Sequence, residues 1–186
     1  MAVYLIRHTT PDTQKGICYG ITDMEVAEDL FPEELERIRS KLNGFIPRTI
    51  YSSPLKRCKK LANSLWDHPE IVYDNRLKEL NFGKWEMKKW EEIPVSEIEN
   101  WAEDYVNRSA PEGESYIELY ERVLELWKQT PKNEDIAFVT HGGVIRAIVA
   151  HILGMPLDKT FLLNLPYGVV IRLDDSRFGD FKIRFC

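Results

Sequence analysis

Residues 136–146 read Ile136-Ala137-Phe138-Val139-Thr140-His141-Gly142-Gly143-Val144-Ile145-Arg146. A short uncharged run rich in β-branched and aromatic residues meets a glycine pair. A nearly all-apolar segment then runs to about Gly154. The run reads as a strand buried on both faces, and the segment after the glycines as a buried helix. Strand, tight turn and helix in direct succession are the building unit of a parallel α/β sheet.

Outward from this stretch the same alternation repeats. Val3–Ile6 and Thr49–Tyr51 read as strands and Ile71–Tyr73 as a weaker one. Val169–Leu173 and Phe181–Phe185 read as a final pair around Asp174–Asp180. Pro32-Glu33-Glu34 opens a helix with Leu35, Ile38 and Leu42 as its stripe. Ser53-Pro54 opens another, with Ser53 as N-cap and Leu55, Cys58, Leu61 and Leu65 facing inward. Val95, Ile98, Trp101 and Tyr105 form a third stripe, and Ile117, Tyr120, Leu124 and Trp127 a fourth. No repeat, low-complexity tract or long linker interrupts the chain. The expected fold is α/β, a three-layer sandwich: a mostly parallel sheet with helices on both faces, residues 1–186 forming one domain.

The 186 residues carry 25 Lys and Arg against 30 Asp and Glu, a net charge of −5, with 44% hydrophobic and 30% charged residues. Such values exclude a disordered tail and do not suit a dedicated nucleic-acid binder. The greasiest stretch, Val144–Leu153, contains Arg146 and His151, so no membrane span is expected. Ala2–Ile6 is too short for a signal peptide. Cys18, Cys58 and Cys186 are odd in number and lack ligand spacing, which reads as free thiols in a reducing cytoplasm. Charge is unevenly spread. Arg48, Lys56, Arg57, Lys59 and Lys60 fall in a stretch without acids, and Glu86–Asp104 carries seven acids against Lys88 and Lys89. Each reads first as a solvated face.

In an open parallel sheet, ligands sit outside the C-terminal strand ends. Arg7-His8-Thr9 ends the first strand, Ser52-Ser53-Pro54 the second with Arg57 one turn on, and Thr140-His141-Gly142-Gly143 the later one. Two histidines and two arginines thus converge on one edge. A histidine can act as nucleophile near neutrality, and guanidinium forks match phosphate oxygens. N–H groups at Gly142 and Gly143 would open a helix as an anion site. These are the ingredients of a phosphate pocket containing a histidine. His68 reads as an exposed loop residue and His151 as a satisfied core histidine.

These residues carry a resemblance. The chain resembles the histidine phosphatase superfamily, with its phosphoglycerate-mutase-like fold, along essentially its whole length. The matching segments are Arg7-His8, Ser53-Pro54-Leu55-Lys56-Arg57, Glu79-Leu80-Asn81-Phe82-Gly83-Lys84-Trp85-Glu86 and His141-Gly142. Residues 16–23, 52–58 and 111–115 are most similar to the branch containing alpha-ribazole phosphatases of cobalamin synthesis, and the long insertion of phosphoglycerate mutases is missing. Thr9 and Met87 stand where the family usually has glycine. Thr13 or Gln14 stands in for a phosphate-binding Asn. The resemblance implies that His8 is the nucleophile and that Arg7, Arg57 and His141 hold the phosphate. It makes Glu79 the general acid and then the base. Thr9, Thr13, Gln14, Tyr19 and Gly142 are implied as substrate contacts. An apolar surround from Phe82 or Trp85 would suit an acid carrying its proton near neutrality. Tyr19 and Trp90 are the aromatic residues best placed to read a leaving group, with Trp101 in the core.

The expected substrate is a small-molecule phosphate monoester, alpha-ribazole 5′-phosphate in particular, with no metal or other cofactor, no nucleic-acid partner and no membrane. Another small-molecule phosphatase or a mutase is the alternative within the family. A metal hydrolase built on His8, His141 and Glu79 is disfavoured by two arginines that would repel the cation. A non-catalytic phospho-ligand module is disfavoured because all five core residues are present.

Overall fold

A computed structural model of the protein describes residues 1–67, 70–131, 133–175 and 181–186. His68 and residues 176–180 lie outside them. The chain order is β1 (Ala2–Arg7), α1 (Phe31–Leu42), β2 (Thr49–Ser52), α2 (Lys56–Leu65), β3 (Glu70–Tyr73), α3 (Val95–Glu103), α4 (Tyr116–Gln129), β4 (Ile136–Thr140), α5 (Gly142–Leu153), β5 (Val170–Asp175) and β6 (Phe181–Phe185), with short 3₁₀ turns in the longer connections.

The six strands form one sheet in the order β3-β2-β4-β1-β5-β6. Neighbours among β1 to β4 run parallel, whereas β5 pairs antiparallel with both β1 and β6. The final pair therefore adds an antiparallel edge to the parallel sheet.

Strand side chains alternate between faces, and both faces are covered. Val3 and Leu5 of β1 and Ile136 and Phe138 of β4 pack under α4 and α5 with Leu119, Val123, Ile145 and Ile148. Ala2, Tyr4 and Ile6, with Ala137 and Val139, pack under α1 and α2 with Ile38, Leu42, Leu61 and Leu65. This double burial explains the uninterrupted apolar runs of β1 and β4. A third cluster holds Cys18, Trp85, Ile93 and Ala110, flanked by Phe82, Trp90, Ile98 and Trp101. It ties the long connection before α4 to the loop after β1, where the Cys18 N–H donates to the Lys88 carbonyl and the Met87 N–H to the Cys18 carbonyl.

Several elements differ from the sequence reading. Helix α2 starts at Lys56 with Leu55 in the cap position; Ser53 lies before the cap, where its hydroxyl accepts from the Leu55 N–H at 3.3 Å and meets His141 Nε2 at 2.8 Å. In α4 the sheet takes Tyr116, Leu119, Val123 and Leu126 together with Leu124 and Trp127. Ile117 and Tyr120 are only partly buried. The two stripes have the same period one residue out of phase, which periodicity alone does not separate. Helix α3 buries no residue completely. His151 is exposed at the end of α5 and bonds the Tyr120 hydroxyl at 3.2 Å, so it is no core histidine. The basic stretch pairs outward, Arg48 with Glu134, Lys56 with Glu25 and Lys60 with Glu28; only Arg57 turns fully inward.

Candidate active site

The site lies at the C-terminal ends of β1, β2 and β4. The His8 N–H donates to the Thr140 carbonyl and the Ser53 N–H to the Val139 carbonyl, extending each ladder beyond its strand. His8 and His141 are thereby brought together, buried, with ring centroids 5.0 Å apart. His8 Nδ1 lies 2.6 Å from the Thr9 carbonyl. A carbonyl only accepts, so Nδ1 carries the proton and Nε2 keeps its lone pair. Burial, then the charges of Arg57 and Arg7, hold the His8 pKa well below the ordinary imidazole value, against the pull of the Thr9 bond. His141 is shifted the same way, by burial and then by Arg57, His8 and Arg7; its Nε2 lies 2.8 Å from the Ser53 hydroxyl. Both rings are neutral at neutral pH.

Arg57 gives its two terminal nitrogens to the carbonyls of Thr22 (2.7 Å) and Gly20 (2.6 Å). Arg7 donates to the Leu165 carbonyl and lies 4.2 Å from the Tyr167 ring centroid. In both arginines Nε is buried without a partner. The guanidinium groups are thus anchored by neutral carbonyls, and their charge and unpartnered Nε–H donors remain for an anion.

Glu79 and His8 line one cavity of about 120 Å³ with Arg7, Tyr19, Leu80, Phe82, Tyr116, Gly143, Arg146 and Phe161. The Glu79 carboxylate accepts from the N–H of Gly143 at 3.1 Å and of Leu80 at 3.0 Å, and Arg122 holds its backbone carbonyl at 3.1 Å. A Cβ at position 143 would lie 2.3 Å from Glu79 Oε1, so only glycine allows this approach. The group seated at the start of α5 is therefore the Glu79 carboxyl, which takes the Gly143 N–H that the sequence reading offered to phosphate. Gly142 packs against Arg7, where a Cβ would lie 3.4 Å from the guanidinium carbon.

Thr9 is fully buried and its hydroxyl has no partner. Thr13 and Gln14 do not line the His8 cavity. They line a neighbouring one of about 340 Å³ with Tyr19, Trp90 and Tyr167, because the loop turns away after Thr10, which Glu34 holds through its backbone N–H and hydroxyl. Tyr19 lines both cavities, and its hydroxyl bonds that of Tyr167. Of the expected apolar neighbours of Glu79, Phe82 is present. Trp85 is buried elsewhere with its indole N–H on Glu97, and Trp101 packs beside it.

Sequence reasoning missed Tyr167, Tyr116, Phe161 and Arg146 in these walls, and the role of Glu86. Glu86 accepts from the N–H groups of Gly20, Ile21, Thr22 and Phe82 and from the Thr22 hydroxyl. Arg146 had a legible signal: it is the one cation in an apolar helix, three and four residues after the glycine pair, hence on the same side as both.

The fold and a histidine ringed by arginines define a phosphate-handling α/β protein. The chain belongs to the histidine phosphatase superfamily (branch 1), whose family model matches residues 3–181. A protein of Escherichia coli O1:K1 / APEC named "Probable phosphoglycerate mutase GpmB" is 35% identical over 186 aligned positions, covering 94% of this chain and 85% of that protein. The alpha-ribazole phosphatase from Shigella flexneri superposes with a TM-score of 0.85 at 20% identity, covering 100% of this chain and 95% of that one. Phosphoserine phosphatase from Entamoeba histolytica, solved with 3-phosphoglyceric acid, gives 0.82 at 23% identity, covering 99% and 95%. These two structures share the fold. No helix among the described residues is long and apolar enough to cross a membrane.

The depressed histidines predict an acid-sensitive fold. Unfolded imidazoles titrate near about 6.5, whereas His8 and His141 titrate well below that when folded. Below about pH 6.5 the unfolded chain binds protons the folded chain refuses, so stability drops as pH falls through that value and levels off above it. Urea unfolding of His8→Asn between about pH 7.5 and 5.5 should show a shallower loss than the wild type. Identical slopes would mean that His8 is not held neutral by the fold.

Proposed function

We propose that the protein is a phosphomonoesterase acting through a phosphohistidine on small-molecule phosphate esters. The observation that carries this reading is the unprotonated Nε2 of a buried, neutral His8 beside two arginines whose Nε atoms lack partners. His8 Nε2 attacks phosphorus, a bond to nitrogen forms, and the bond to the ester oxygen breaks. Arg7, Arg57 and His141 face the oxygens on which charge builds. Glu79, on the wall of the same cavity, gives its proton to the departing alkoxide. It then takes one from the water that attacks the phosphohistidine, and inorganic phosphate leaves. Free Cys18, Cys58 and Cys186 accord with a cytoplasmic setting, and the acidic net charge with small-molecule rather than nucleic-acid partners.

Two leaving groups are favoured by different observations. Alpha-ribazole 5′-phosphate is favoured by the branch resemblance and by the 340 Å³ cavity, where Tyr19 and Trp90 offer aromatic faces to a flat base; stacking adds about 0.5–1.5 kcal/mol. A small phosphorylated hydroxy acid is favoured by Arg146 in the wall of the smaller cavity. Comparing kcat/KM across alpha-ribazole 5′-phosphate, 3-phosphoglycerate, phosphoserine and uncharged alkyl phosphates decides between them.

Acid-quenched wild type caught during turnover of a labelled ester should carry an acid-labile, base-stable phosphate, and His8→Ala should carry none. Label on another residue, or turnover by the variant, removes His8 as nucleophile.

Glu79→Gln keeps size but cannot give up a proton. It should lose about 10²–10⁴-fold on an alkyl phosphate and much less on p-nitrophenyl phosphate, whose leaving group hardly needs one. Equal losses on both would make Glu79 a positioning group only.

A further inference from the structure

Every arginine among the described residues other than Arg7, Arg57 and Arg146 lies within 4.0 Å of a carboxylate. Two of these three, Arg7 and Arg57, act on His8 through their charge and are the pair assigned to phosphate above. The third, Arg146, stands on the first turns of α5 and lines the same cavity as His8 and Glu79. Its Nη2 donates to the Leu163 carbonyl at 3.2 Å, its guanidinium carbon lies 5.1 Å from the Phe161 ring centroid, and its Nε is buried without a partner. Glu79 acts on this guanidinium through its charge without pairing with it directly, so a half-buried cation bonded to a carbonyl and stacked on a ring keeps donors for something else.

Charge counting indicates what that is. A phosphate monoester dianion balances Arg7 and Arg57. While Glu79 holds the proton it is to donate, Arg146 is left as one uncompensated cation. It sits on the Glu79 side of the cavity, and Glu79 hands its proton to the leaving group there. The remaining walls on this side are Phe82, Tyr116 and Phe161, which offer the rest of a leaving group apolar contact. We propose that Arg146 binds an acid group on the leaving alcohol, so that the enzyme selects phosphorylated hydroxy acids over uncharged phosphate esters. This rests on the phosphomonoesterase reading and decides between its two leaving groups. The bond to phosphorus is broken as before; Arg146 takes no part in proton transfer and acts on selectivity alone.

The test uses 3-phosphoglycerate and glycerol 3-phosphate, which present the same primary alkoxide and differ in a carboxylate against a hydroxymethyl group. The wild type should prefer 3-phosphoglycerate. Arg146→Met should lower the ratio of the two kcat/KM values by about 10- to 100-fold, the scale of a lost charge-assisted contact. The effect should fall mainly on KM, and Arg146→Lys should restore part of it. A ratio unmoved in Arg146→Met, with both substrates slowed alike, would show that Arg146 supports Glu79 or the fold and overturn the proposal. A wild type without preference for the acid, or faster on alpha-ribazole 5′-phosphate than on either ester, overturns it too, and needs no variant to fold. A wild type inactive on all of these and on p-nitrophenyl phosphate fails the phosphomonoesterase reading itself, a different outcome from an active enzyme that ignores the carboxylate.

Discussion

The site depends on the register in which β4 pairs with its two parallel neighbours. Arg7 lies opposite Thr140 and Ser52 opposite Val139, so three strands end at one level. The next residue of each, His8, Ser53 and His141, lands in one buried cluster. Side chains alternate along a strand, and a slip of one residue in β1 would send Val3 and Leu5 to the face of Tyr4 and Ile6. The core therefore enforces the register, since the two faces pack different helices. The chemistry at the strand ends inherits its geometry from apolar packing several residues away.

Keeping cations unneutralised at those ends requires support that is not itself charged. Arg57 shows how this is done. The carbonyls of Gly20 and Thr22 take its terminal nitrogens, and the N–H groups of the same two residues donate to Glu86. The carboxylate thus reaches Arg57 through oriented peptide dipoles rather than by direct pairing. A direct ion pair would stabilise the arginine more but would withdraw its charge from a ligand. Removing the arginines from water without a counter-charge costs stability, as does holding His8 and His141 neutral below about pH 6.5. The sheet and its two covering layers carry that cost.

Strands β1, β2 and β4 and the residues that end them were legible because each is a short apolar run whose period and punctuation are local. That let the strand-end histidines and Arg57 be placed on one edge. What stayed illegible depends on contacts distant in sequence. Ser53 has the composition of an N-cap yet lies before the cap, where it also meets His141. His151 sits in an apolar run yet faces out. The stripe of α4 buries Leu124 and Trp127 as expected but takes Tyr116 and Leu119 in place of Ile117 and Tyr120. Thr13 and Gln14 were assigned by their position in a loop whose path Glu34 decides from α1. Tyr167 and Phe161 lie in the connection 155–169, where no periodicity announces which side chains turn inward.

These two kinds of residue divide the site into two ends with different origins. The end around His8 and His141 is built from strand termini. The other end is built from connections, with Phe82 and Tyr116 from the segment before and at the start of α4 and Phe161 from the turn after α5. Such walls vary without disturbing strand pairing, which is how one fold accommodates many esters. Glu79 belongs to both ends. Its backbone, in the connection between β3 and α3, hangs on Arg122 of α4, but its carboxyl group is fastened to the first turn of α5 through Gly143. The carboxyl group is thereby fixed relative to His8 whatever those walls become. Position 143 must stay without a side chain for that to hold, since any Cβ there would displace the carboxylate from the helix end.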